Sequence, residues 1–258
     1  MPPRGLRPSG LLLVDKAAGP SSFEIVREIR RRTGARTGHA GTLDPFASGL
    51  LLVLSGAATR LAPWLVGLGK RYVTEIDLSS RTETGDPEGE LVEEQEPPGK
   101  AELERRLGDL RGEVELPIPA ASAVKIGGER AYRLMRRGVE VEMPRRRSRI
   151  DALDIIAYTG DAVTLDLCVS SGTYVRAVAA ALGGHCRTLR RMEVGPFRVE
   201  DADPERILPP AEAVSFLPGV DVSEQEARAL RAGRRHGEED VRYLLAGELV
   251  AVGRTVLA

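Results

Sequence analysis

The sequence has few of the residues on which several common protein classes depend. Its two cysteines, Cys168 and Cys186, lack CxxC spacing and are too few for a disulfide framework or a zinc site. Its three histidines lie far apart, which argues against a histidine-based metal site. No apolar run approaches the ~20 residues that span a bilayer, and the first residues lack the pattern of a secretory signal. We therefore expect a cytoplasmic protein that uses neither a metal nor a membrane.

Aromatic residues are also scarce, at 4% of the chain, while apolar residues together make up 42%. The core must therefore consist mostly of Leu, Val, Ala and Ile. A chain of 258 residues can form one large domain, or a catalytic domain with a small appendage.

The net charge is only −1, but charge is sorted along the chain. Residues 1–40, which include Arg4 and Arg7, carry eight Lys or Arg against three acids, and residues 125–149 carry nine against three. Basic segments of this kind suit a protein that holds a polyanion on one face. The excess of 33 Arg over 4 Lys is equally compatible with a GC-rich genome, so charge alone leaves nucleic-acid binding open.

The order of predicted elements indicates an α+β fold with a mixed, largely antiparallel sheet flanked by helices. The predicted strands cover residues 10–16, 50–54, 72–78 and 163–169, and the predicted helices cover residues 22–34, 103–110 and 173–182. The first helix opens with the capping box Ser21-x-x-Glu24. Its spacing places Phe23, Val26 and Ile29 on one face, and Arg27, Arg30 and Arg31 on the other.

Clusters of Asp and Pro between residues 200 and 210 predict a domain boundary. We expect a catalytic domain over residues 1–203 and a small α/β-type module over residues 204–258. The second would contain a helix opened by Ser223 and a strand-like tail over residues 242–256. About 50 residues are marginal for a domain that folds alone.

The run from Gly38 to Leu51 places one carboxylate, Asp44, in a turn just before an apolar strand. Loops at the end of a strand often present reactive side chains to a substrate. An Asp before a Pro is more commonly a simple turn residue, and a lone carboxylate argues against the paired acids of most glycosidases. Asp44 could still act as a nucleophile, or stabilise positive charge that develops at a sugar C1′.

Several ordered segments together resemble the TruB family of tRNA pseudouridine synthases, which act on the uridine at position 55 in the T arm. Each segment is weakly specific alone, and their joint order and spacing are highly specific. The segments are residues 10–16, 21–22, 38–51, 58–60, 70–72, 81–86, 122–125, 171–176 and 189–195. The resemblance implies that the N1–C1′ bond breaks, that the uracil turns, and that it rejoins through C5 without a cofactor.

The resemblance also implies roles for individual residues. Asp44 would be the essential carboxylate, Tyr72 the ring that stacks on uracil, and Arg176 the partner that keeps the carboxylate ionised. His39 would fill the gap left when the target base flips out. The remaining residues implied to bind the substrate are Asp86, Tyr174, Leu189 and Lys16.

The basic segments then have an expected partner, the T arm of tRNA. The implied RNA-backbone contacts are Arg27, Arg30, Arg31, Lys125 and Arg130. Residues 120–147 would form a mobile insertion that closes over the RNA, and the C-terminal module would be a small PUA-like RNA-binding unit. We expect a monomer. The chain departs from the family at residues 116–121, where the usual Gln and Tyr are missing.

Two other functions remain open at this stage. The chain could be a tRNA-folding module that binds and flips the T arm without isomerising it, or a synthase that works in a guide-RNA complex. The presence of Asp44, Tyr72 and Arg176 together argues against the first, and the short C-terminal tail against the second. A hydrolytic glycosidase is a more distant alternative, since no second acid lies near Asp44 in the sequence.

Overall fold

The computed structural model describes residues 9–139, 141–234 and 238–257, so Arg4 and Arg7 lie outside the described residues. The chain divides into two compact units, one formed by residues 1–68 with 193–258 and the other by residues 69–192. The domain boundary expected near residue 203 stays a prediction. Within the described ranges, no helix is both long and apolar enough to cross a membrane.

The secondary structure alternates irregularly between strands and helices. The strands are β1 (Gly10–Lys16), β2 (Thr37–His39), β3 (Ser48–Ser55), β4 (Lys70–Asp77), β5 (Ser80–Thr82), β6 (Leu91–Glu94), β7 (Gly112–Pro117), β8 (Lys125–Ile126), β9 (Glu129–Arg130), β10 (Arg145–Tyr158), β11 (Ala162–Val169), β12 (His185–Val194), β13 (Phe197–Arg198), β14 (Asp203–Leu208), β15 (Gly219–Asp221), β16 (Arg242–Leu245), β17 (Glu248–Val252) and β18 (Thr255–Val256). The helices are α1 (Ser22–Thr33), α2 (Ala62–Val66), α3 (Lys100–Asp109), α4 (Ala131–Arg136), α5 (Val175–Leu182), α6 (Pro210–Ala213) and α7 (Glu224–Arg231), with 3-10 turns at Gly56–Leu61 and Val199–Asp201.

In the first unit, β1 lies between β3 and β14 and pairs antiparallel with both. The leucines of β1 and β3 form the core of this sheet, and Leu11, Leu12, Leu50 and Leu51 are fully buried. The predicted boundaries of both strands are confirmed to within two residues. An uninterrupted apolar run is what a strand covered on both faces requires.

Helix α1 begins and ends where its capping residues predict. The Ser21 hydroxyl accepts a hydrogen bond from the Glu24 backbone N–H, and the Glu24 carboxylate accepts one from the Ser21 N–H. Gly34 ends the helix in the left-handed conformation, with φ 63°. Both features satisfy backbone groups that a helix leaves unpaired at its ends.

The predicted position of Phe23 is wrong. Its side chain is 67% exposed, and the buried residues of α1 are Ser22, Val26 and Ile29. The reason is that Ser22 occupies the inward position at the first turn, because its hydroxyl bonds to the backbone of Leu43. At about 100° per residue, Phe23 is then turned away from the core.

The C-terminal residues of the first unit contain a second, four-stranded sheet in the order β15, β16, β17, β18. Helix α7 opens with a capping box between Ser223 and Glu226, as predicted. Its inner face contributes Ala227 and Leu230 to a small core with Tyr243 and Val250. The predicted strand-like tail is confirmed, and its expected role in RNA binding stays a prediction.

In the second unit, the strands follow the order β12, β4, β11, β10, β7. Strands β4, β11, β10 and β7 pair antiparallel. Tyr72, Thr74, Ile76 and Leu78 are buried on one face, as the alternation in the sequence predicts. Helix α5 begins at Val175, two residues later than predicted, because Tyr174 is extended and caps the helix.

An ion-pair network joins β12 to the C-terminal end of β4. The Arg187 guanidinium lies 2.7 Å from Asp77, 3.2 Å from Glu75 and 3.6 Å from Asp161. Burial raises the pKa of Asp77, but hydrogen bonds from Ser79 and Arg187 outweigh it and lower that pKa to about 2. This network stabilises the sheet above the pH at which the carboxylate titrates.

Candidate active site

Asp44 lies in the loop that connects β2 to β3, and the carbonyl of Asp44 accepts a hydrogen bond from the Ala47 N–H at 3.1 Å. Its side chain is half-buried, as are those of His39 and Pro45. Strand β2 pairs with β3, so that His39 lies opposite Val53. The loop is therefore closed at its base by backbone hydrogen bonds, and Asp44 lies half-buried within it.

The Asp44 loop is fastened to α1 on its N-terminal side. The buried Ser22 hydroxyl donates to the Leu43 carbonyl and accepts from the Leu43 N–H, both at 2.9 Å. Ser22 is 2% exposed and Leu43 is 3% exposed, so this double contact is shielded from water. It fixes the backbone immediately before Asp44.

Lys16 and Gly19 fasten the loop on its C-terminal side. The Lys16 ammonium donates to the carbonyls of Ala17 (2.9 Å), Pro20 (2.8 Å) and Pro45 (3.2 Å). The Pro45 carbonyl also accepts from the Gly19 N–H at 2.8 Å. Lys16 is 1% exposed, so its contact with a substrate stays a prediction, while its contact with the Asp44 loop is direct.

Arg176 and Asp86 form a buried ion pair in the second unit. One guanidinium nitrogen of Arg176 lies 3.3 Å from Asp86 Oδ2, and their side chains are 3% and 6% exposed. The same nitrogen donates to the Thr84 carbonyl at 2.7 Å, and the other donates to the Ala121 carbonyl at 2.9 Å. Asp86 Oδ1 accepts from the Thr84 hydroxyl at 2.5 Å. The structure thus brings together two predicted site residues and the start of the predicted insertion.

Tyr72 occupies the same buried face of β4 as Lys70, two residues before it, and lies opposite Leu167 of β11. Burial and the positive charge of Arg191 lower the pKa of Lys70 to about 8. Leu189 is buried on β12, two residues before Arg191. Sequence analysis assigned no role to Lys70 or Arg191, although both lie within segments that carry the family resemblance.

The residues expected to contact the RNA backbone are all on the surface. Arg27, Arg30 and Arg31 are exposed on α1, and Lys125 and Arg130 are exposed on the β8–β9 hairpin. The Arg130 guanidinium donates to the Ala123 carbonyl. The hairpin turns at Gly127 and Gly128, whose φ values of 58° and 90° favour glycine.

The insertion and the loop that carries Asp86 line a cleft of about 740 Å³ in the second unit. Glu83 lies on the side of that loop, and Met135, Val139 and Val141 lie on the side of the insertion. The predicted closing motion of the insertion stays a prediction. No group of three or more His, Cys, Asp or Glu that could hold a metal ion occurs among the residues that the structure describes.

Comparison with known proteins decides the family. Residues 28–175, more than half of the chain, match the N-terminal domain of the TruB family pseudouridylate synthases. The chain belongs to the TruB family. The predicted resemblance is thereby confirmed, and so is the assignment of an enzyme family.

Curated relatives of this TruB-family chain carry the name tRNA pseudouridine synthase B. The relative from Leifsonia xyli is 39% identical over 255 residues, which cover 90% of this chain and 84% of the relative. The relative from Syntrophobacter fumaroxidans is 37% identical and covers 90% and 83% of the two chains. The similarity therefore extends over nearly the whole chain.

Solved structures confirm the predicted α+β fold of this TruB-family chain. A chain of a crystallised Cbf5-Nop10-Gar1 complex aligns with a TM-score of 0.69 and 25% identity, over 94% of this chain and 77% of that one. A chain of an H/ACA RNP bound to a substrate RNA that contains 2′-deoxyuridine aligns with a TM-score of 0.67 and 23% identity. At this level of identity the second likeness concerns the fold alone.

Proposed function

We propose that this chain isomerises uridine to pseudouridine in tRNA, and that its target is the uridine at position 55 in the T arm. The observation that carries the proposal is the similarity to tRNA pseudouridine synthases B across about nine-tenths of the chain. The identity to these relatives, 37–39%, is higher than the 25% identity to the chain from the Cbf5-Nop10-Gar1 complex. This difference favours an enzyme that acts on tRNA directly over one that works in a guide-RNA complex.

The reaction needs no external oxidant or co-substrate because it conserves atoms and electrons. The N1–C1′ bond breaks, the C5–C1′ bond forms, a proton leaves C5 and a proton is gained at N1. The protein must therefore supply a carboxylate at the sugar, a holder for the detached uracil and a route for one proton. The roles that follow are part of the proposal.

Asp44 supplies the carboxylate. Its backbone is held on one side by Ser22 and on the other by Lys16 and Gly19, which supports a carboxylate of defined position. Lys16 serves the substrate through this loop. His39, five residues earlier at the base of the same loop, takes the place of the extruded base.

Arg176 keeps the role that the family resemblance implies, the partner of the catalytic carboxylate. Its guanidinium is 3% exposed, paired with Asp86 and bonded to two carbonyls, which supports a positive charge of fixed position. Asp86 holds Arg176 and binds the uracil edge. Tyr72 stacks on the uracil and assists the loss of the C5 proton, and Tyr174 and Leu189 line the pocket.

The RNA is held by exposed cations and read by shape. Arg27, Arg30 and Arg31 of α1 contact the T-arm backbone, and Lys125 and Arg130 of the hairpin close over it. The C-terminal module adds a further RNA contact. We also propose that the enzyme acts in the cytoplasm as a monomer.

Asp44→Asn is the decisive variant because it keeps the size of the side chain and removes its charge. We expect loss of tritium release from tRNA labelled at uridine C5, with tRNA binding retained. Asp109→Asn, which changes an exposed carboxylate on α3, is the matched control and should keep full activity. A tRNA with cytidine at position 55 should give no pseudouridine. Turnover by Asp44→Asn would refute the mechanism, and binding without turnover by the unmodified chain would favour a non-catalytic tRNA-folding module.

A further inference from the structure

Phe23 is an exposed aromatic residue beside the Asp44 loop. Its side chain is 67% exposed, and it is the one Phe among the large apolar side chains that the described part of the chain leaves on the surface. Isolated exposed apolar residues are common on protein surfaces. Phe23 differs from such residues because it lies near Asp44 and next to exposed arginines.

The contact between Ser22 and Leu43 places Phe23 close to Asp44. Phe23 follows Ser22 in the chain, and Asp44 follows Leu43, so each is one residue away from a pair joined by two hydrogen bonds of 2.9 Å. The Cα atoms of Phe23 and Asp44 are therefore at most about 14 Å apart, since neighbouring Cα atoms are ~3.8 Å apart. An RNA strand that reaches Asp44 passes within a few nucleotides of Phe23.

Two cations follow Phe23 on the same stripe of α1. At ~100° per residue, Phe23, Arg27 and Arg30 fall within about 60° of the helix circumference. All three are exposed, and Glu28 falls on another side of the helix. Arg27 makes one loose contact of 3.9 Å with the exposed Glu24, and Arg30 forms no ion pair with any described residue. An aromatic ring next to guanidinium groups is the combination that single-stranded nucleic acid binds.

We propose that Phe23 is a stacking platform for one unpaired base of the RNA substrate, and that Arg27 and Arg30 hold phosphates next to that base. The inference rests on the proposed function, because it takes the substrate to be RNA. It adds a residue that reads whether a base is unpaired, which contacts with phosphate cannot do. A protein surface, including a second copy of this chain, is the rival occupant.

The test compares two RNAs that differ only in unpaired bases, a T-arm hairpin and a duplex of the same stem. We expect Phe23→Ala and Phe23→Leu to weaken hairpin binding about 5- to 150-fold, the range that one stacked base contributes. Phe23→Trp should bind like the unmodified chain, and none of the three should alter duplex binding. Replacing one loop base at a time with 2-aminopurine should identify one position whose fluorescence depends on an aromatic side chain at position 23.

Two controls separate stacking from other effects. Arg30→Gln should weaken binding of hairpin and duplex alike and reduce the slope of log K against log salt by about 1. Ile156→Ala, which removes an apolar side chain that is 57% exposed on β10, should change neither. Melting temperatures of the Phe23 variants should stay close to that of the unmodified chain, because the ring makes few contacts.

Three outcomes would overturn the inference. Unchanged hairpin affinity in Phe23→Ala shows that no base stacks there, and an equal loss for hairpin and duplex shows a contact that does not depend on unpaired bases. A change in self-association by sedimentation assigns the surface to a second copy. The unmodified chain is first assayed for pseudouridine formation in tRNA. If it forms none, the proposed function fails. If it does form pseudouridine, the three outcomes above test the role of Phe23 alone.

Discussion

Lys16→Met tests whether Lys16 serves the site by holding the Asp44 loop or by touching the RNA. The ammonium donates to three carbonyls, and Lys16 is 1% exposed, so methionine of similar length leaves these acceptors without their donor. The Pro45 carbonyl keeps its bond from Gly19. The carbonyls of Ala17 and Pro20 do not gain a replacement from methionine.

The magnitude follows from those contacts. Each of the two carbonyls that lose their donor costs about 1–3 kcal/mol, and methionine regains part of this because no charge is buried. We expect the free energy of unfolding to fall by about 2–4 kcal/mol. In a chain of this size this lowers the melting temperature by about 4–16 °C.

Thermal unfolding by circular dichroism and steady-state tritium release together make the distinction. If Lys16 holds the loop, Lys16→Met lowers the melting temperature and kcat, while KM for tRNA changes little. Lys100→Met is the matched control, since Lys100 is exposed and its 3.9 Å pair with Glu104 is worth less than about 0.5 kcal/mol. An unchanged melting temperature with a raised KM alone would show that Lys16 contacts the RNA, contrary to the loop argument.

Four further substitutions test the packing and electrostatics. Gly184→Ala should prevent stable expression, because its Cβ would lie 1.8 Å from the Asp77 carbonyl oxygen, whereas Gly108→Ala in open space on α3 should raise stability by up to about 1 kcal/mol. Arg187→Gln should remove about 1 kcal/mol of stability above pH 4, because Ser79 still donates to the Asp77 carboxylate and keeps part of its lowered pKa. The loss of stability between pH 4 and 2 should become shallower, and an unchanged slope there in urea titrations contradicts this. Ser122→Ala should be neutral or slightly stabilising in the same titrations, because the buried hydroxyl has no hydrogen-bond partner among the described residues.

Elements that depend on nearby residues could be predicted from the sequence. The capping box at Ser21, the left-handed Gly34 and the alternation from Tyr72 to Leu78 are local signals, and each of the elements they predict is present. Helix α1 also shows the limit of such reasoning. Periodicity alone placed Phe23 inside, and only the long-range bond from Ser22 to Leu43 explains why it faces outward.

Features that depend on distant partners could not be predicted. Strand β10 was missed because most of its residues are exposed and many are arginines, so no alternation of apolar residues marks it. Its neighbours β7 and β11 complete the ladder of hydrogen bonds. The family resemblance named Asp86, but nothing in the acidic segment 83–96 predicts that it is buried and paired with Arg176, 90 residues later in the chain.

The place of β1 between β3 and β14 has a consequence for synthesis on the ribosome. Leu11 pairs with Leu54 on one side and with Leu208 on the other, so β1 has one edge open until β14 leaves the exit tunnel. At ~5–20 residues per second, the interval between the end of β3 and the end of β14 lasts about 8–30 s. An open apolar edge is a template for pairing between chains. During this interval the open edge of β1 can pair with another chain, and truncation before residue 203 would make the exposure permanent.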